Sequence, residues 1–243
     1  MKKRLLSLSF DDLDREEWST ALRQALSEDG VCFLYTPNAE IAFRAEEDEA
    51  FRSLLGRADY LSPDGDGVVL GAALWGNPLS HGKMAGVELG EEIARLCAEE
   101  GRGLFLYGGR EGVAEEAANA LRARYPSLSV VGTACGYGEG GKAVAERIRA
   151  CGAEAALVCL GSPRQEEWID RYGGESGARL LAGLGGSLDV YAGRTRRAPR
   201  VLRTLRAEWL WRTVCDPRRI GRLGAIPRFL LLCLRNRSKG EKG

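Results

Sequence analysis

The sequence predicts an α/β protein: an open, mostly parallel sheet covered by helices, followed by a basic, amphipathic helical appendage. Three observations carry this. Short continuous apolar runs such as Leu104–Tyr107 and Ala155–Leu160 have the pattern of strands buried on both faces. Each is followed by a glycine- or proline-marked turn and an amphipathic stretch, the alternation that builds parallel sheets, and 32 glycines among 243 residues supply those turns. The third observation is charge. The formal net charge is +1, yet residues 194–243 hold 15 Lys/Arg against 3 Asp/Glu, a net of +12, and residues 1–193 carry −11. An acidic body with a basic tail implies an anionic partner at one end of the molecule. We therefore divide the chain into a body, 1–193, and an appendage, 194–243.

Taken in order, Arg4 to Phe10 is a short apolar segment that reads as one strand. Asp14 to Leu26 reads as a helix opened by a capping box, Asp14 with Glu17, and buried along Trp18, Leu22 and Leu26. Val31–Tyr35 is the next strand; Thr36-Pro37-Asn38 closes it, and Ala39 to Leu55 continues as a single helix. Asp59–Leu61 ends a further short buried segment. Val68 to Leu74 then reads as a small-residue helix packed against the sheet. A helix from Glu88 to about Glu99 precedes the strand at Leu104–Tyr107, and Pro126 ends the helix after that strand. Strands at Val130–Thr133, Ala155–Leu160 and Arg179–Leu184 complete the body, with helices at Lys142–Ala150 and from Gln165 onward.

The chemistry-bearing residues sit at strand ends. Asp64 lies in Pro63-Asp64-Gly65, at a tight bend after a short strand, where catalytic groups of α/β proteins gather. Pattern alone leaves two readings, a helix cap or a catalytic carboxylate. Thr36 and Asn38 divide the same way, between turn residues and ligand contacts. Gly108-Gly109 joins a strand to a helix in a shape suited to close approach of a phosphate, although the stretch is neither GxGxxG nor a P-loop. The one histidine, His81, has no carboxylate or cysteine partner nearby in sequence and is set aside. Seven cysteines without a CxxC pair fit a reducing compartment and give little material for a zinc site. The N-terminal apolar run is too short for a secretory signal, and no stretch is long enough to cross a bilayer.

In the tail, Leu205, Trp209, Trp211 and Val214 interleave with Arg203, Arg206 and Arg212. The run Phe229–Leu234 suits shallow insertion at a membrane interface. The expected partner of this tail is an anionic membrane surface, with a homo-oligomer interface as a compatible alternative. Nucleic acid is not expected, since no RNA- or DNA-binding motif is present.

The ordered set Thr36-Pro37-Asn38, Pro63-Asp64-Gly65, Gly108-Gly109, Gly136-Tyr137, Gly161-x-Pro163-x-Gln165-Glu166-x-Trp168, Gly185-Gly186-x-x-Asp189, Arg197-Ala198-Pro199, Glu208-Trp209-Leu210 and Pro217-Arg218-Arg219 resembles the WecG/TagA/CpsF glycosyltransferase family over essentially the whole chain. The resemblance implies a Rossmann-like catalytic body with a membrane-associating appendage, on the inner face of the cell membrane. It implies transfer of a sugar, with inversion, from a UDP donor to a polyprenyl-diphosphate-linked acceptor, with no cofactor and no required divalent metal. In the wall teichoic acid branch that sugar is N-acetylmannosamine and the acceptor N-acetylglucosaminyl-diphospho-undecaprenol. Carried onto this chain, Asp64 becomes the base. Thr36, Asn38, Lys83, Gly108, Gly109, Tyr137 and Gln165 become substrate contacts, and Arg212, Arg219 and Arg222 face the lipid diphosphate. The chain departs from the family pattern at Asp66, usually apolar, at Arg164, usually lysine, and at Lys83 and Glu88, usually arginine and aspartate. Those departures keep glucose, glucuronate and mannosaminuronate donors in play. The rival reading is a soluble nucleotide-binding protein whose tail mediates assembly.

Overall fold

Six parallel strands form the centre of the protein in the order β4-β3-β8-β7-β5-β6. The structure, a computed structural model, describes residues 1–195 and 224–237. The strands are β3 (Cys32–Tyr35), β4 (Tyr60–Leu61), β5 (Gly103–Gly108), β6 (Ser129–Ala134), β7 (Ala155–Cys159) and β8 (Leu180–Gly183). Alternate residues feed two cores. Phe105, Tyr107, Ala156, Val158 and Leu181 point to one face; Leu104, Leu106, Ala155, Leu157 and Leu180 point to the other. Helices α1 (Arg15–Ser27), α5 (Gly86–Glu100), α6 (Val113–Arg124) and α9 (Ser187–Tyr191) cover the second face. The first is covered by α2 (Ala39–Glu47), α3 (Glu49–Leu55), α7 (Gly141–Ala150) and α8 (Arg164–Tyr172).

The capping box forms as the sequence predicts: the Asp14 carboxylate accepts from the Glu17 N–H, and Glu17 accepts from the Asp14 N–H, both at 2.8 Å. Trp18, Leu22 and Leu26 are fully buried behind it. Three expectations need correcting. The first apolar segment is an antiparallel hairpin, β1 (Lys2–Leu5) and β2 (Leu8–Asp11), turned at Leu6 with φ 55°. Asp11 and Asp12 fasten it to the body by accepting from the N–H groups of Leu61, Ser80 and His81. The stretch Ala39–Leu55 is two helices, because Asp48 leaves helical geometry and its carboxylate accepts from the Phe51 N–H at 3.0 Å, starting α3.

The third correction concerns α4 (Asp66–Trp75), which shares the core of the sheet's first face but has as its main partners α2, β1 and the C-terminal helix α10 (Ala225–Arg235). Gly71 makes this possible: a Cβ there would stand 2.5 Å from Phe229 Cε1. Phe229 and Cys233 are fully buried against α4, while Leu231 and Leu234 on the other side of α10 are 47% and 49% exposed. So the apolar run read as a membrane-inserting segment divides, half of it spent on the body. Burial pushes the thiols of Cys32, Cys97, Cys159 and Cys233 up to about 12, which keeps them un-ionised at neutral pH. No helix among the described residues is long and apolar enough to cross a membrane.

Candidate active site

At the carboxyl ends of β3, β4, β7 and β8 the loops part to leave a cleft of about 500 Å³. This is the edge where open parallel sheets bind ligands, because consecutive crossovers diverge there and leave backbone N–H groups exposed. Three segments distant in sequence bring Thr36 with Asn38, Asp64 and Gln165 to its walls.

Each is held by a bond that also explains its place in the sequence. The Thr36 hydroxyl, at the end of β3, donates to the Gly183 carbonyl at 3.0 Å, tying it to the end of β8. Asn38 caps α2, its Oδ1 accepting from the Ile41 N–H at 3.0 Å, so its amide nitrogen is the part left for a ligand. Asn38 thus fills the cap its position allows and also stands on the cleft wall. Asp64 is half-buried, its N–H donating to the Pro37 carbonyl at 3.2 Å, which joins the loop after β4 to the loop after β3. The N-cap position of α4 falls on Gly65, not Asp64. Gln165, in the first turn of α8, is 1% exposed; its Oε1 accepts from the Gly185 N–H at 2.8 Å and its Nε2 donates to Glu166 at 2.9 Å.

The other expected contacts lie elsewhere. Lys83 forms an ion pair with Asp66 at 2.9 Å and is not on the cleft wall. Gly108 and Gly109 sit one strand away, beyond β7. Gly108 has φ 141° and lies so close to β7 that a Cβ would stand 2.2 Å from the Cys159 carbonyl oxygen. Tyr137 is 73% exposed, with the Arg164 guanidinium 5.2 Å from its ring centre. Arg212, Arg219 and Arg222 lie outside the described residues.

Several wall residues were not anticipated as contacts: Glu40 and Arg44 on α2, Ser162, Asp189 and Arg194. The spacing of Glu40 and Arg44, four apart and following the Asn38 cap, places them on one face of that helix and could have signalled it. Among the described residues, the cationic side chains on this cleft are Arg44 and Arg194. Arg44 pairs with Asp48 at 3.7 Å and lies over the Phe51 ring; Arg194 forks onto Glu116 with two contacts of 2.7 Å. The cleft therefore offers neutral donors, the carboxylates Glu40, Asp64 and Asp189, and two arginines that each have an acidic partner. No group of three or more His, Cys, Asp or Glu able to hold a metal ion occurs among the described residues.

Residues 3–243 match the Glycosyl transferase WecG/TagA/CpsF family. Curated relatives include the N-acetylglucosaminyldiphosphoundecaprenol N-acetyl-beta-D-mannosaminyltransferases of Staphylococcus aureus strains MRSA252 and COL. Each is 34% identical over 210 residues, covering 86% of this chain and 82% of the relative.

Proposed function

Because the chain belongs to the WecG/TagA/CpsF glycosyltransferase family, we propose that it transfers N-acetylmannosamine from UDP to N-acetylglucosaminyl-diphospho-undecaprenol, with Asp64 as general base. The observation that carries this reading is the convergence of Thr36, Asn38, Asp64 and Gln165 on one cleft at the ligand edge of the sheet. The named relatives supply the sugar and the acceptor; the UDP leaving group is inferred from the family resemblance.

In the proposed step the Asp64 carboxylate takes the proton from an acceptor hydroxyl as its oxygen bonds to the anomeric carbon. The bond from that carbon to the diphosphate breaks on the opposite face, and UDP leaves with the electron pair. An inverted glycoside results, and Asp64 returns its proton to solvent. The growing charge on the diphosphate calls for N–H donors and cations. Gln165 Nε2, the Asn38 amide and the loop at Gly185–Gly186 are the nearby neutral donors. The cations on the cleft wall are already paired, so we assign the remaining positive charge to Arg212, Arg219 and Arg222 of the basic tail. That tail would also hold the enzyme at the inner face of the membrane, where a lipid-linked acceptor must be met.

The test is a donor panel presented with a short-chain lipid-diphosphate N-acetylglucosamine acceptor, read by product mass. UDP-N-acetylmannosamine is the expected donor. Product from a glucose, glucuronate or mannosaminuronate donor instead would move the enzyme to another branch of the family, and no product from any would overturn the assignment.

A further inference from the structure

Beneath the cleft lies a carboxyl group that the transfer step does not use. Glu166 is 1% exposed and sits in the first turn of α8. Its Oε1 accepts from Gln165 Nε2 at 2.9 Å, while Gln165 Oε1 accepts from the Gly185 N–H at 2.8 Å. These two bonds decide which way the amide faces, because Gly185 can only donate and an acceptor must meet it. An amide nitrogen carries two hydrogens. One is taken by Glu166, and Gln165 stands on the cleft wall with the other.

The second carboxyl oxygen makes the arrangement more specific. Glu166 Oε2 and Ser162 Oγ are both buried without a well-formed hydrogen-bond partner among the described residues, and Ser162 is also on the cleft wall. The Ser162 hydroxyl lies close enough to act on the carboxyl as a donor, which lowers the Glu166 pKa. Burial outweighs this and raises the Glu166 pKa, against the smaller opposing hydrogen bonds of Gln165, the residue's own backbone N–H and Ser162.

We propose that Glu166 is a positioning residue for sugar-nucleotide binding, its carboxyl holding the Gln165 amide so that the second N–H of Nε2 faces the ligand's oxygens. The inference rests on the reading of this cleft as the sugar-nucleotide site, and deepens it. Neutral donors in fixed directions suit a diphosphate sugar, since they add no charge that must be desolvated.

The test is a double-mutant cycle in the full chain, with Glu166→Leu, Gln165→Ala and the pair, plus Glu166→Gln. Binding of UDP-N-acetylmannosamine is read by calorimetry, and thermal unfolding is followed alongside. Glu166→Leu is expected to weaken binding about tenfold, as loss of one oriented hydrogen bond does. Adding Glu166→Leu to Gln165→Ala should weaken binding by less than about threefold further, because both act through one amide. Glu166→Gln keeps an acceptor and a donor in place and should bind within about twofold of wild type. If Glu166→Leu fails to fold, Glu166→Asp, which withdraws the carboxyl by one methylene, replaces it in the same cycle. Multiplying effects, or a lowered unfolding midpoint with unchanged affinity, would overturn the proposal. Product mass is scored separately: donor bound and coupled as described, but no product formed, refutes the transfer reading and leaves this inference standing. Wild-type protein that binds no sugar nucleotide would overturn both.

Discussion

Asp64 and Asp66 carry the same side chain two residues apart, and their surroundings separate their roles. Asp66 is held by Lys83 at 2.9 Å, and Asp64 stands on the cleft wall. Asp64→Asn is expected to lower turnover roughly 10²–10⁴-fold, the usual worth of a general base, with little change in UDP-sugar affinity. Asp66→Asn should stay within a few-fold of wild type in the same steady-state assay; the reverse order would move the base to Asp66. Glu166 gives a second prediction at this scale. Its folded pKa is raised by burial, so its stabilising contribution is complete below the unfolded value of about 4.3 and is lost as pH rises through the folded pKa. Chemical denaturation across pH should therefore show wild type losing stability relative to Glu166→Gln as pH rises over that window. A constant difference would contradict it. Sequence reasoning reached Asp64, Thr36, Asn38 and Gln165 because strand ends and an ordered motif set marked them. It could not reveal that Lys83, expected as a substrate contact, stands against Asp66, seventeen residues earlier.

At the scale of elements, the βα units and the α1 capping box were legible because their signals are local: an apolar run, a turn glycine, an acid with a second acid three residues on. The failures share a cause. Leu6 turns the N-terminal hairpin with a residue that carries no turn signature. Asp48 breaks a continuous helical pattern by capping α3 from inside a run of acids. The partner of α4 lies more than 150 residues away, where no periodicity could name it. Gly71 and Phe229 are the test of that contact. Gly71→Ala places a methyl in contact with the Phe229 ring and should destabilise the protein by about 1–3 kcal/mol in urea unfolding. Phe229→Ala alone should cost about 3–5 kcal/mol. In the double variant the Gly71→Ala penalty should largely vanish, since the ring it strikes is gone; simple additivity would mean that α10 packs elsewhere.

For the whole molecule, the charge division defines a tail of net +12, yet α10 within it belongs to the body's core through Phe229 and Cys233. Truncation after Thr195 is therefore a poor probe of membrane binding, because it strips α4 of its partner and should lower the unfolding midpoint by itself. Neutralising Arg203, Arg206, Arg212, Arg218 and Arg219 together to Gln leaves α10 in place. Each basic residue near an anionic surface is worth about 1 kcal/mol. That variant should lose most sedimentation with vesicles containing anionic phospholipid while keeping its unfolding midpoint. Undiminished sedimentation would leave the tail as an assembly element.

A single-turnover assay asks whether this cleft joins N-acetylmannosamine to a lipid-linked N-acetylglucosamine with Asp64 as base, as we propose. Wild-type and Asp64→Asn proteins, each saturated with UDP-N-acetylmannosamine, are mixed with the short-chain N-acetylglucosaminyl diphosphate lipid, and the product is followed by mass. The wild type is expected to give a product heavier by one N-acetylhexosamine residue, which forms at least about 100-fold more slowly in the variant. Equal rates in the two proteins, or no such product from the wild type, would contradict it.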